Sequence, residues 1–236
     1  MKNRIIAVIL LLSFNSCNQK AELLNDEAVD LFNNNQIDSA FIKLDEAQKV
    51  DSSFFGTYYN RAVIYSELGK NDQAIEQFSK SIRLNEYDTS SYMNRGILYS
   101  KNQNIEKALQ DYNSVLKIDP NKKEAHFNIG LIYFNSGNLS DAEIKFLKCI
   151  QIDTKYDPAY FRLAKIRLQN EKFNEAYDYL NKSIALNDKK FEYYEIRGVM
   201  NLMKGDKIKA CEDLNRAINL GSKDELTIKF QSEECK

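Results

Sequence analysis

The 236-residue chain has few residues that interrupt helices and few that build catalytic or metal centres. It contains 2 Pro, 8 Gly, 1 His and no Trp. The scarcity of Pro and Gly favours helices joined by short turns. A general base or metal ligand needs convergent partners, but His126 is the only histidine, and the sequence shows no His/Cys cluster, phosphate-binding glycine loop or nucleophile motif. We therefore expect a protein that is not an enzyme and that has no cofactor and no metal site.

The chain also lacks an excess of positive charge and a long apolar run. Its 33 Lys and Arg are balanced by 34 Asp and Glu, and the signs alternate along most of the sequence. A nucleic-acid partner is disfavoured because phosphate binding requires a basic excess on one face. The apolar run 5–12 would span about 12 Å as a helix, whereas a bilayer core is about 30 Å thick. This run is too short for a membrane-spanning anchor.

The first sixteen residues have the pattern of an export signal. Lys2 and Arg4 precede the apolar run, and a short polar stretch follows it. We expect residues 1–16 to be removed, which would change the formal net charge from −1 to −3.

The segment Leu12-Ser13-Phe14-Asn15-Ser16-Cys17 resembles the lipobox of bacterial lipoproteins. The resemblance implies that Cys17 is lipidated, becomes the mature N-terminus and attaches the linker 17–20 to a membrane. Asn18 is not the aspartate that retains such proteins at the inner membrane, so the resemblance favours the outer membrane, facing either side. The alternative is an ordinary secretory signal with Cys17 among the first mature residues.

The rest of the chain is periodic. Alanine recurs every 34 residues at Ala40, Ala74, Ala108, Ala142, Ala176 and Ala210. A second small residue keeps the same period at Ala28, Ala62, Gly96, Gly130, Ala164 and Gly198. Small residues are needed where helix backbones approach closely, so each period predicts two packed helices. The sequence thus predicts a stack of helical hairpins.

The repeats resemble the tetratricopeptide repeat, in which aromatic, small and aromatic positions alternate at fixed spacing. Tyr58, Ala62 and Tyr65 carry this pattern in the second repeat, followed by Ala74 and Phe78. The resemblance covers residues 21–222 as six repeats, 21–54, 55–88, 89–122, 123–156, 157–190 and 191–222. It implies an all-α fold, a tetratricopeptide α-solenoid of helix-turn-helix repeats in a right-handed superhelix. The fifth and sixth repeats have Arg167 and Asn201 where four others have Leu or Tyr, so altered packing is expected there.

Several local features refine this prediction. Gly69, Gly137 and Gly205 lie between the two helices of their repeats, where a positive φ can end the first helix. Asp157 is expected to cap the fifth repeat before the first-turn Pro158. His126 and Cys149 occupy core positions of the repeat.

Residues 223–236 are expected to form a capping helix with Leu226 and Phe230 on its buried side. An antiparallel return from the turn at Gly221 would bring Cys235 level with Cys211. A disulfide between them is therefore one prediction, and two free thiols are the alternative.

Candidate binding residues follow the same period. The sixth position of consecutive first helices holds Asn60, Asn94 and Asn128, followed by Arg162. Asparagine is unfavourable inside a helix, and its amide can both donate to and accept from a peptide backbone. This register resembles the asparagine ladder of some tetratricopeptide peptide-binding arrays. The competing explanation is duplication, because repeats that share an ancestor keep identical residues without needing them.

The adjacent fifth position holds Tyr59, Met93, Phe127 and Phe161. These side chains would form apolar pockets beside the ladder or pack against the next repeat. The ninth position, asparagine in the tetratricopeptide carboxylate clamp, is apolar here until Lys165 in the fifth repeat. The resemblance therefore favours recognition of an internal segment of the partner over recognition of a free C-terminus.

Together these features predict an envelope lipoprotein whose repeats bind a protein or peptide partner and act as an adaptor. The alternative function is a glycan-binding surface component that stacks sugars on Tyr59, Phe127 and Phe161.

Overall fold

The computed structural model describes the backbone of residues 2–235 and the side chains of residues 18–233 and 235. Thirteen helices and no strand occur in this described part of the chain, so the all-α prediction is confirmed. The helices are α1 Lys2–Asn33, α2 Ile37–Val50, α3 Phe55–Glu67, α4 Asn71–Leu84, α5 Thr89–Lys101, α6 Ile105–Ile118, α7 Lys123–Asn135, α8 Leu139–Ile152, α9 Asp157–Gln169, α10 Phe173–Leu186, α11 Phe191–Met203, α12 Lys207–Asn219 and α13 Glu225–Glu234. The odd-numbered helices α1 to α11 are the first helices of the repeats.

Two compact units divide the chain after Pro120. In the first unit, α1 packs on α2, α3 on α4 and α5 on α6, and further contacts join α2 to α3 and α4 to α5. In the second unit, α7 packs on α8, α9 on α10 and α11 on α12, and α13 packs on α12. Every first helix therefore packs most extensively on the second helix that follows it.

The small periodic residues form the contact points between the two helices of a pair. Ala62, Ala74 and Phe78 are buried together in the first unit, and Ala142 and Phe146 are buried in the second. A methyl group added to Gly130 would lie 2.7 Å from Cε1 of Phe146, so only glycine allows α7 to approach α8 this closely. Burial of each large apolar side chain at these contacts contributes about 1.5–3 kcal/mol. The core is therefore a series of small clusters.

The turns within the pairs all use a left-handed residue at the same repeat position. Glycine holds this position at Gly69, Gly137 and Gly205, with φ of 71°, 80° and 77°. The predicted role of these glycines is confirmed. The other three pairs place side-chain-bearing residues there, namely Asn35, Gln103 and Glu171, with φ of 61°, 59° and 58°.

Two core predictions are also confirmed, because His126 is 9% exposed and Cys149 is fully buried. The Cys149 thiol donates a hydrogen bond to the carbonyl oxygen of Lys123 at 3.3 Å. Burial raises the pKa of this thiol to about 12.

The prediction that Asp157 caps the fifth repeat is wrong. Helix α9 begins at Asp157 itself, and Tyr156 holds the capping position without a side-chain hydrogen bond. The Asp157 carboxylate accepts hydrogen bonds from the Tyr193 hydroxyl at 2.6 Å and from the Asn187 amide at 3.3 Å. Asp157 therefore connects α9 to the next helix pair.

Polar networks replace the missing tyrosines of the last two repeats. Arg167 forms ion pairs with Glu143 and Glu175 on the two flanking second helices. The buried amide of Asn201 donates to Asp213 at 3.0 Å. The expected change in packing thus consists of paired charges and hydrogen bonds.

The C-terminal helix α13 is oriented differently from the prediction. Leu226 is 77% exposed, whereas Thr227 is buried and Phe230 is half-buried. Asp224 caps the start of α13, because its side chain accepts a hydrogen bond from the backbone N–H of Thr227 at 2.8 Å. A disulfide joins Cys235, after α13, to Cys211 in α12, with Cα atoms 5.5 Å apart.

The side chains of the predicted signal segment 1–16 and of Cys17 lie outside the described residues. Where side chains are described, no helix is long and apolar enough to cross a membrane.

Candidate binding site on the first helices

The predicted ladder residues lie at equivalent points of successive first helices: Asn60 on α3, Asn94 on α5, Asn128 on α7 and Arg162 on α9. All four side chains are half-buried. Their hydrogen bonds differ, and these differences separate structural residues from candidate binding residues.

Asn60 takes part in a network that joins two first helices. Its amide donates to Oδ1 of Asn25 on α1 at 3.2 Å. Asn25, which is 2% exposed, donates in turn to the carbonyl of Ala21 and to the hydroxyl of Thr57 at 2.9 Å. Asn25 was not identified from the sequence, although it is the one polar residue at a fifth position otherwise occupied by apolar or aromatic side chains in repeats one to five. Asn60 is therefore at least partly a structural residue.

Asn94 also has a partner within the protein. Its amide donates to the hydroxyl of Tyr59 at 3.3 Å, which connects α5 to α3. Burial raises the pKa of Tyr59. An amide has two donor hydrogens and two acceptor lone pairs, so this single hydrogen bond leaves most of its capacity free.

Asn128 differs from the other two asparagines. Within the described part of the chain, its side chain makes no hydrogen bond and no ion pair. The whole amide is therefore free to bind a ligand.

Arg162 is one of five half-buried arginines in the described residues. Four of them pair with a carboxylate: Arg61 with Asp45, Arg95 with Asp111, Arg167 with Glu143 and Arg197 with Asp213. Arg162 pairs with none. Its guanidinium carbon lies 6.0 Å from the ring centre of Phe134 and 5.9 Å from that of Phe161. Burial lowers the pKa of Arg162, an effect that Tyr193 and Glu192 partly oppose.

Lys165, one helical turn after Arg162, is held by the same two rings. Its ammonium nitrogen lies 5.8 Å from the centre of Phe134 and 5.9 Å from that of Phe161, and it has no ion-pair partner among the described residues. The pKa of Lys165 is lowered by burial and by the positive charge of Arg162. Two like charges therefore share a partly desolvated site, and cation–π contacts offset only about 0.5–2 kcal/mol of this cost. A bound anion would relieve the repulsion.

The fifth-position side chains pack mainly against neighbouring helices. The ring of Tyr59 lies 5.8 Å from that of Phe78, and Phe127 contacts both Phe146 and Tyr156. Phe161 lies 4.6 Å from Tyr193. Met93 is half-buried. The rings of Tyr59, Phe127 and Phe161 therefore each pack within their own unit.

An apolar cavity of about 380 Å³, which the sequence analysis missed, lies beside Lys165 between α9, α11 and α13. Its apolar wall includes Leu168, Ile196, Val199, Met200 and Met203. Val199 is 49% exposed and Met203 is 67% exposed. The sequence contained a signal for this cavity. Val199 is an apolar residue at the ninth position of the sixth repeat, and Met203 follows it four residues later on α11.

No cluster of three His, Cys, Asp or Glu side chains that could hold a metal ion occurs among the described residues.

Comparison with known families decides the nature of the repeats. Tetratricopeptide repeat models match residues 56–88, 123–156 and 157–190, and a further model of the same repeat matches 98–137. Together these matches cover more than half of the chain. The chain contains tetratricopeptide repeats.

Solved tetratricopeptide-like structures reproduce the fold over most of the chain. PilF from Pseudomonas aeruginosa superimposes with a TM-score of 0.80 at 14% identity, over 92% of this chain and 99% of PilF. PilW, a type IV pilus biogenesis factor, gives 0.73 at 18% identity, over 89% of this chain and 98% of PilW. YrrB, a tetratricopeptide protein with an unusual peptide-binding site, gives 0.60 at 15% identity, over 80% of this chain and 97% of YrrB. No curated protein matches the chain.

Tetratricopeptide repeat domains bind protein or peptide partners, and proteins of this fold are typically scaffolds without catalytic activity. The identities to the solved structures are low, so these comparisons establish the fold alone.

Proposed function

We propose that this tetratricopeptide chain is an envelope-anchored adaptor that binds a polypeptide partner along its first helices. The observation that carries this proposal is the unpaired charge of Arg162 and Lys165, half-buried against Phe134 and Phe161. Burial of unpaired charge is costly, and every other half-buried arginine in the described residues has a carboxylate partner. A ligand that supplies acceptor oxygens would remove this cost.

A peptide supplies the chemistry that the site lacks. Its carbonyl oxygens and carboxylates can accept from Arg162 and Lys165, and its backbone N–H and C=O groups can pair with the free amide of Asn128. These residues lie one repeat apart on α7 and α9, which suits an extended segment that makes polar contacts at intervals.

A glycan is the weaker candidate. Sugar binding would require open aromatic faces, but the rings of Tyr59, Phe127 and Phe161 pack against neighbouring rings at 4.6–5.8 Å. The rings are better placed to support polar side chains than to stack on sugars.

The envelope location is supported by the signal-like segment 1–16 and by the lipobox-like sequence before Cys17. One structural neighbour, PilW, is a pilus biogenesis factor, which agrees with such a location. Two acyl chains on Cys17 would give stable membrane attachment, whereas one chain gives only marginal binding. Intact-mass analysis of membrane-extracted protein tests the anchor. An unmodified Cys17, or a Cys17→Ser variant that stays in the membrane fraction, would exclude it.

Site-specific photo-crosslinking tests the binding face. Replacement of Asn128 by the photoreactive residue p-benzoylphenylalanine, followed by irradiation of intact cells, should give a discrete adduct with a partner protein. The matched control carries the same residue at the exposed Lys182 on the second helix α10. No adduct at position 128, or the same adduct from both positions, would contradict binding along the first helices.

Two substitutions test whether the asparagine ladder binds a partner or reflects duplication alone. Asn128→Ala removes no hydrogen bond within the described protein, so it should leave the free energy of unfolding within about 0.5 kcal/mol of wild type. It should nonetheless weaken partner capture. Asn60→Ala breaks the bond to buried Asn25 and should cost about 1–2 kcal/mol of stability. Full partner capture by the Asn128→Ala variant would rule out a role for Asn128 in binding.

A further inference from the structure

The apolar cavity beside Lys165 and the unpaired cations of α9 form one continuous surface of the second unit. Lys165 lines the cavity and also shares the rings of Phe134 and Phe161 with Arg162. A group that occupies the cavity therefore lies next to Lys165, and Arg162 lies one helical turn before Lys165 on α9. Neither cation has an ion-pair partner among the described residues.

The two carboxylates that line the cavity, Glu195 and Asp224, are hydrogen-bonded at the start of α13. The Glu195 carboxylate accepts a hydrogen bond from the Ser222 hydroxyl. Asp224 caps α13 through the N–H of Thr227, and its own N–H donates to Ser222 at 3.2 Å. Both acids keep their negative charge while they hold α13 in place, whereas Lys165 and Arg162 make no ion pair among the described residues.

The size of the cavity sets the apolar part of the ligand. About 380 Å³ accommodates one large side chain such as Phe or Leu, and the walls of Leu168, Ile196 and Val199 offer it apolar contacts. Exposure of 49% at Val199 and 67% at Met203 leaves apolar surface that a ligand would cover.

We propose that this cavity recognises a partner segment in which an acidic residue is adjacent to a bulky apolar residue. The apolar side chain enters between α9, α11 and α13, and the carboxylate binds Lys165 and Arg162. An extended chain advances about 3.3–3.6 Å per residue, so neighbouring side chains of one segment reach both parts of the surface. This inference rests on the proposed function and names the kind of sequence that the second unit selects.

The methionines of the chain provide the means of testing it. Met200 and Met203 line the cavity, while Met93 lies on α5 in the other unit. Protein lacking residues 1–16 and carrying ¹³C-methyl methionine would be titrated with an acetylated and amidated Gly-Ser peptide that contains one Asp-Phe pair. The expected result is a shift of the Met203 and Met200 methyl signals, with the Met93 signal unchanged.

A thermodynamic cycle then tests the charge. Changing Asp to Asn in the peptide should weaken binding at least fivefold to wild-type protein and have little effect on an Arg162→Gln, Lys165→Gln double variant. A matched variant, Lys145→Gln with Lys182→Gln, should retain the full preference for Asp. Val199→Ser should reduce the preference for Phe over Ser while retaining the preference for Asp. Helical circular dichroism of each variant verifies that it is folded.

The other outcomes distinguish failure of this recognition proposal from failure of the adaptor function. Equal binding of the Asp and Asn peptides to wild type, or shifts at Met93 alone, would overturn the recognition proposed here. If the adduct at position 128 still forms in either case, the adaptor function stands without it. Loss of that adduct together with the absence of any peptide-induced shift would overturn both.

Discussion

Arg197 on α11 holds the buried carboxylate of Asp213 on α12 with two parallel hydrogen bonds, from Nε at 2.9 Å and from Nη2 at 2.7 Å. The same arrangement recurs in the first unit, where Arg95 binds Asp111 at 2.9 and 2.7 Å. The remaining guanidinium nitrogen Nη1 donates to Asn181 in one copy and to Ser79 in the other. The pKa of Arg197 is raised, chiefly by its hydrogen bonds to Asp213. The same arginine–aspartate pair therefore joins the two helices in each of these helix pairs.

Removal of the buried acid should be costly. Asp213→Ala leaves Arg197 without its partner and also removes the acceptor of Asn201, so we expect a loss of about 3–5 kcal/mol in the free energy of unfolding. Asp45→Ala is the matched control, because the Asp45 side chain is 58% exposed in its pair with Arg61. That change should cost about 0–1 kcal/mol. Urea denaturation measures both, and equal losses would show that burial does not determine the strength of these pairs.

A glycine in the turn between α9 and α10 should stabilise the protein. Glu171 has a φ of 58°, a conformation that costs a residue with a side chain about 1–2 kcal/mol and glycine very little. Glu171→Gly should therefore raise the free energy of unfolding by about 1 kcal/mol after the larger chain entropy of glycine is subtracted. Asn35→Gly should gain less, since asparagine tolerates this conformation. A destabilised Glu171→Gly protein in thermal unfolding would show that the Glu171 side chain contributes more than the strain.

The buried thiol should be chemically silent in the folded protein. With a pKa of about 12, the Cys149 thiol is ionised at pH 8 to the extent of about one molecule in ten thousand, and it has no exposed surface. Iodoacetamide labelling followed by peptide mass mapping should modify Cys149 only after denaturation. Rapid modification of the native protein would mean that α8 opens locally.

The disulfide between Cys211 and Cys235 should stabilise α13. The bond closes a loop with a sequence separation of 24, for which the chain-entropy model gives about 3 kcal/mol. Reduction, or replacement of both cysteines by serine, should lower the free energy of unfolding by that order and increase amide exchange in α13 first. An unchanged exchange rate in α13 would indicate that the cap of Asp224 and the packing of Thr227 suffice.

The sequence predicted the periodic part of this structure well because the helix pairs repeat without insertions. Small residues 34 apart located the contacts between helices, and glycines at 69, 137 and 205 located the turns. The sequence predicted less well which face of a helix is buried and which side chains from other repeats contact each other. Leu226 and Phe230 indicated one face of α13, but Thr227 is buried and Leu226 is exposed in the structure.

The sequence placed the candidate binding residues on successive first helices, but it did not reveal which of them have partners within the protein. The ladder register led to Asn128 and Arg162, whereas the partners of Asn60 and Asn94 on neighbouring helices were not visible in the sequence. The cavity beside Lys165 is formed by residues from three helices, and an apolar Val199 looks the same in a sequence whether it fills a core or lines an opening. The sequence also did not show that each of the other half-buried arginines pairs with a carboxylate. Arg162 is exceptional because it has no such pair among the described residues.

The disulfide that ties α13 to α12 makes the cavity sensitive to reducing conditions. Because Asp224 and Thr227 of this segment form part of the cavity wall, a chain whose cysteines are still reduced holds that wall less firmly. Disulfides persist in oxidising compartments and are rare in the cytosol. The shape of the cavity therefore depends on whether the bond between Cys211 and Cys235 has formed.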